Sequence, residues 1–248
     1  MLKKIIQKFI LVNKKEGETP LECLTDFRNK NKAYKDIKMT YAGRLDPMAS
    51  GLLLIVAGEE IKNKEKYLKL DKAYEFEVHF GFATETYDIM GKVVGSRVSG
   101  VREEEIKKLI KTNLKHFTGK FKQAYPLYSS VNIKKVRAGQ DVESTSNIVN
   151  VKSLKLIKIK TINNKKLLKD IEKRLGKVKG DFRQEEILKI WRKKLSNNSG
   201  VYTIASFRIE CSSGTYVRAI ANSLGERMKT PALAFKIKRT KVGKWGKM

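Results

Sequence analysis

Asp46 stands in the stretch Tyr41-Ala42-Gly43-Arg44-Leu45-Asp46-Pro47-Met48-Ala49-Ser50-Gly51, which can hold a carboxylate stiffly enough for chemistry. Gly43 and Gly51 admit backbone conformations closed to residues with side chains, and Pro47 biases Asp46 toward an extended conformation. A carboxylate fixed in this way can serve as a nucleophile or a general base. A structural reading stands beside the chemical one: Asp46 caps a turn opened by Pro47. Other reactive residue types are sparse. His79 and His116 have no ligand partner three or four residues away, and Cys23 and Cys211 match no metal spacing. No metal site is expected, and both cysteines read as buried or free thiols.

The elements that must position Asp46 follow from periodicity. Leu52 to Ala57 is apolar throughout and predicts a buried strand directly behind the loop. Phe9 to Val12 predicts a short strand, followed by a turn over Asn13 to Gly17. Thr19-Pro20-Leu21-Glu22 carries an N-cap, a proline at the first helical position and the glutamate of a capping box, so a helix should run to about Asn29. Lys72 to Phe80 alternates, with Tyr74, Phe76, Val78 and Phe80 on one face of a half-buried strand. Glu103 to Lys115 reads as an amphipathic helix, and Val201 to Cys211 as another strand. Beyond it, Val217, Ile220, Ala221 and Leu224 share a helical face, with Gly225 as the expected C-cap and Arg218 off the stripe near the start. Between Lys160 and Leu195, two runs at helical spacing flank Gly176 and Gly180. They predict a basic helical insertion at about 160–198, closed by a turn at Asn197-Asn198-Ser199-Gly200.

The 248 residues suit one large domain, alone or with a small insertion. Lys and Arg number 54 against 26 Asp and Glu, a formal charge of +28, which points to a polyanionic partner. No apolar run approaches the ~18 residues of a membrane span, and the lysine-rich N-terminus lacks a cleavage site, so a soluble cytoplasmic protein is expected.

Three stretches together resemble the pseudouridine synthases. Gly43-Arg44-Leu45-Asp46-Pro47-Met48-Ala49-Ser50-Gly51-Leu52-Leu53 is similar to their catalytic motif, in the form found in the bacterial tRNA pseudouridine synthase B branch. Lys72-Ala73-Tyr74-Glu75-Phe76, running on to Thr84, Thr86 and Asp88, resembles the second motif. Gly214-Thr215-Tyr216-Val217-Arg218 resembles the third. The resemblance implies a mixed α/β (α+β) fold: a central, largely antiparallel sheet flanked by helices, with the active cleft across its middle. It further implies a single catalytic domain over 1–248, with no room after the last strand for the RNA-binding domain many relatives append.

The implied activity is isomerisation of the T-loop uridine of tRNA to pseudouridine, with no cofactor and no metal. The implied partner is the T-arm of tRNA, met by a monomer and without a membrane. In roles the resemblance carries over, Asp46 is the catalytic carboxylate, Arg218 pairs with it and Tyr74 packs on the uracil. Tyr216, Ile237 and Gly43 line the substrate pocket, and Lys14 matches a lysine on a strand beneath the loop, although Lys15 stands where the family has proline. Tyr41 replaces a histidine associated with displacing the target base. Arg44-Leu45-Asp46 is a triplet seen in large-subunit rRNA synthases, and the RNA-gripping thumb looks shortened at Lys134 to Gln140. An rRNA substrate and a non-catalytic RNA-binding module therefore stand as alternatives.

Overall fold

The apolar run behind Asp46 is the strand Ala49–Ala57, and the sheet is assembled outward from it. The computed structural model describes residues 6–97, 103–126, 128–129, 146–196 and 200–246. The expected short thumb at Lys134 to Gln140 and the turn at Asn197 to Ser199 lie outside the described residues. In chain order the strands are β1 (Phe9–Lys14), β2 (Met39–Ala42), β3 (Ala49–Ala57), β4 (Lys72–Phe80), β5 (Phe82–Thr84), β6 (Val93–Ser96), β7 (Gly119–Ala124), β8 (Ser146–Asn163), β9 (Val201–Cys211), β10 (Ala232–Val242) and β11 (Trp245–Gly246). The α-helices are α1 (Pro20–Lys30), α2 (Lys64–Leu68), α3 (Glu103–Leu114), α4 (Asn164–Leu175), α5 (Gln184–Ser196) and α6 (Val217–Arg227).

The main sheet runs β1-β3-β10-β4-β9-β8-β7, with β2 added to β3 and β11 to β10; β5 and β6 form a separate hairpin. Every pair is antiparallel except β3 with β10, where Ile237, Lys238 and Arg239 lie opposite Ala49, Ser50 and Gly51. This mixed α/β architecture with a largely antiparallel sheet is the expected one. The parallel seam places the start of β3, and the Asp46 loop before it, beside β10, where Arg239 is also opposite Tyr74 of β4.

Alternation along β9 and β10 divides the core between the two faces. Ala205, Phe207, Ile209, Ala232 and Ala234 pack with Ile106 and Ile110 of α3 and Val217, Ile220 and Leu224 of α6. Tyr202, Ile204, Leu233 and Phe235 pack on the other side with Leu167, Ile171, Ile187, Trp191 and Leu195 of α4 and α5. Helix α1 begins with the complete capping box, Thr19 and Glu22 each accepting from the other's backbone N–H.

Two boundaries differ from expectation. Strand β8 continues to Asn163, paired with Val201, because its backbone stays in unbroken register with β9 from Lys158 to Asn163; the region assigned to an insertion from about 160 therefore starts as strand, and its helices begin at Asn164. Gly225 is not a C-cap. Helix α6 continues to Arg227, and a Cβ on Gly225 would lie 2.5 Å from Ala232 Cβ and 2.6 Å from the Thr230 carbonyl, so the glycine permits close approach of helix and strand.

Candidate active site

Asp46 makes its two contacts through different atoms. Its carbonyl accepts the Ala49 N–H at 3.0 Å and closes the turn opened by Pro47. Its carboxylate points away from the turn, to Arg218 Nε at 2.7 Å from Oδ2. Arg218 is the second residue of α6 and only 4% exposed. Its guanidinium also donates to the Thr86 carbonyl and lies 3.7 Å from Asp88 Oδ2. One buried cation thus joins three segments: the loop before β3, the turn after β5 and the start of α6.

Asp88 is itself buried, and Oδ1 accepts from Thr86 Oγ1 at 2.7 Å and from Met90 N–H at 2.9 Å. Burial pushes its carboxyl above the ordinary value, against the pull of Arg218. For Arg218, burial disfavours the charge, but Asp46 and Asp88 outweigh it and raise its affinity for the proton. The guanidinium therefore remains cationic, while the Asp46 side chain is 43% exposed toward the cleft.

The loop is held from below by two buried cations whose partners are carbonyls. Arg239, 1% exposed, donates to Leu52 at 2.7 Å, Arg44 at 3.3 Å and Gly43 at 3.2 Å. Lys14 donates through Nζ to Lys15 at 2.9 Å, Glu18 at 2.6 Å and Pro47 at 3.3 Å. Gly43 has φ +88 and Gly51 φ +104, and a Cβ at Gly51 would fall 2.2 Å from the Arg239 carbonyl. Only glycine fits at that seam.

A cavity of about 710 Å³ opens over Asp46. Asp46, Arg218, Tyr74, Tyr216, Ile237 and Gly43, all named from sequence, line it together. Tyr216 is fixed at its backbone, its N–H donating to Gln123 Oε1 at 2.8 Å and its carbonyl accepting from Gln123 Nε2 at 3.1 Å. Burial pushes the Tyr74 phenol up to about 12, so it is neutral at pH 7 and offers a ring face and a hydroxyl rather than a phenolate base.

Two sequence-named residues are elsewhere. Lys14 is fully buried under the loop and does not line the cavity; a six-residue strand ending against that loop turns its side chain inward. Tyr41 packs with Ile10, Leu24 and Ile55 at the α1 side of the sheet and does not line the cavity either. Conversely, Asp88, Arg239 and Lys72 belong to the site without having been assigned roles from sequence. Lys72 is buried, donates to the Leu68 carbonyl at 2.7 Å and is lowered to about 8, by burial first and by Arg239 beside it. Arg239 lies among Lys236, Lys238 and Lys241, a pattern that reads as a solvated face, so only its pairing with Gly51 reveals it.

The family profile described as TruB family pseudouridylate synthase (N terminal domain) matches residues 30–173. The chain is 30% identical over 237 residues to the tRNA pseudouridine synthase B of Borreliella burgdorferi (strain ZS7), covering 95% of this chain and 69% of that one. It is 29% identical to that of Thermotoga maritima, covering 94% of this chain and 62% of the relative. Among solved structures, a Cbf5-Nop10-Gar1 complex superimposes with a TM-score of 0.58 at 18% identity, over 97% of this chain and 50% of that one. An H/ACA RNP bound to a substrate RNA containing 2′-deoxyuridine gives 0.57 at 16% identity, over 97% and 49%. The chain spans about half the length of these two solved chains, and the likeness to them concerns the fold.

Proposed function

Because the chain belongs to the TruB family of pseudouridylate synthases, we propose that it isomerises uridine to pseudouridine in the T-loop of tRNA, at position 55. The observation that carries this reading is the 2.7 Å pair of Asp46 and Arg218 at the floor of a cavity walled by Tyr74, Tyr216 and Ile237.

The reaction breaks the bond between ribose C1′ and uracil N1, rotates the base and joins C1′ to C5; the proton leaves C5 and N1 gains one. Nothing is oxidised, and no group other than the C5 proton leaves the nucleotide. The enzyme must extract the nucleotide from its stack, keep an ionised carboxylate by the sugar and hold the freed base while it turns. In this reading Asp46 meets C1′ or its 2′ neighbour, and Arg218, 2.7 Å away, fixes its orientation and balances its charge. Tyr74 supplies a neutral ring face for the uracil, with Ile237 and Tyr216 closing the pocket. The +28 charge draws in the phosphate backbone, so affinity should fall steeply with salt. The enzyme acts as a cytoplasmic monomer on the T-arm. Among the described residues, no helix is long and apolar enough to cross a membrane.

Release of tritium from C5-labelled uridine in a T-loop hairpin tests the activity. Release from this hairpin, and not from rRNA hairpins in parallel, is the expected result; release from rRNA alone would move the substrate, and release from neither would leave a binding module.

A further inference from the structure

The turn between α4 and α5 reaches the rim of the cavity. Asp181, Phe182 and Arg183 line it on one side, in company with Tyr128. Among the described residues the exposed large hydrophobics include two aromatic rings, Tyr128 at 39% and Phe182 at 37%, and both stand at this rim. An exposed ring costs solvation unless something covers it.

The turn is held by its own side chains. Gln184 Nε2 donates to the carbonyls of Val178 at 3.1 Å and Gly180 at 2.6 Å, while the Phe182 N–H donates to Gln184 Oε1 at 2.8 Å. Arg183 does not swing freely: it pairs with Glu85 at 2.8 Å, with its guanidinium carbon 5.9 Å from the Tyr128 ring centroid. The segment Asn164 to Ser196 carries 12 Lys and Arg against 5 Asp and Glu.

We propose that Phe182, Arg183 and Tyr128 form a stacking platform for an unpaired nucleotide beside the target uridine, so that the helical segment serves RNA recognition as well as packing. This rests on the proposed function for the identity of the RNA. The chemistry suits a looped strand: base stacking on aromatic rings is tolerant of sequence and worth ~1–3 kcal/mol per base, and a guanidinium beside the rings adds attraction for the adjoining phosphate. A duplex offers no such bases. Extruding one uridine leaves its neighbours unstacked beside the cleft whose rim these rings line.

The test uses the full chain and T-loop hairpins carrying 2-aminopurine at either side of the target. Wild type should quench the probe on binding. Phe182→Leu, which keeps apolar bulk at an exposed site, should leave the unfolding midpoint in place, lose most of the quenching and raise KM about tenfold with a smaller change in kcat. Phe182→Trp should restore both. Quenching and KM equal to wild type in Phe182→Leu would overturn the platform. If wild type releases no tritium, the proposed reaction fails, yet the quenching comparison still decides whether the platform binds RNA.

Discussion

Arg174 of α4 grips Glu16 with two bonds to the same carboxylate oxygen, 3.0 Å from Nε and 2.8 Å from Nη2, and the next residue, Gly17, donates its N–H to the Pro47 carbonyl at 2.9 Å. The Asp46 loop is therefore tied to a helix far along the chain through one intervening turn. A Cβ on Gly17 would fall 2.6 Å from the Lys177 carbonyl, so the turn and the helix end have no slack between them.

This relay makes Arg174 a positioning residue. Arg174→Ala leaves the part-buried Glu16 carboxylate with Lys177 alone, 3.3 Å from Oε1, and should cost about 1–3 kcal/mol of stability, below the full cost of an unpaired buried charge. Below its unfolding midpoint the variant should lose kcat several-fold with KM little altered, and Arg174→Met with Glu16→Gln should recover stability. Although burial pushes Glu16 up, the Arg174 bonds outweigh it and the carboxyl sits below its ordinary value. The pair's contribution is thus present above about pH 4.5 and lost as pH falls through the folded value. Unfolding curves and steady-state rates of the three proteins check this; an Arg174→Ala enzyme with unchanged kcat would remove the relay.

Arg218→Lys should not rescue. Lysine keeps the charge but cannot present a planar fork to Asp46, the Thr86 carbonyl and Asp88 together. At least a tenfold loss of kcat, with RNA affinity within about threefold of wild type, is expected, since ~1.4 kcal/mol suffices for a factor of ten. Parallel measurements of single-turnover rate and RNA binding decide it.

His79 supplies a pH signature away from the site. Its ring lies among Phe82, Tyr202 and Phe235 at centroid distances of 5.8, 5.2 and 5.8 Å, and burial lowers its pKa to about 3. Between about pH 6.5 and 3 the unfolded chain holds a proton that the folded one refuses, so stability falls by about 1.4 kcal/mol for each pH unit of acidification in that window. In His79→Phe this component disappears, and the variant should gain on wild type as pH drops from 7 to 5. Denaturant unfolding at both pH values checks the sign.

What could be read from sequence was what is local. The apolar run of β3, the capping box at Thr19 and the alternation of β4 are set by neighbours along the chain, and the Asp46 loop announces itself by its glycines and proline. Which face a side chain takes at the end of a short strand is not local: Lys14 turns inward because three carbonyls converge there, and Tyr41 turns toward α1. Gly225 and Arg239 have tertiary reasons, close approach to Ala232 in one case and to Gly43, Arg44 and Leu52 in the other, that no periodicity carries.

The most direct test is single-turnover tritium release by Asp46→Asn, with hairpin affinity measured on the same preparation. Asparagine keeps the size of the side chain and the turn at its carbonyl, and removes the charge that Arg218 holds. Release at background, with binding within a few-fold of wild type, is the expected result; release at the wild-type rate would contradict a catalytic Asp46.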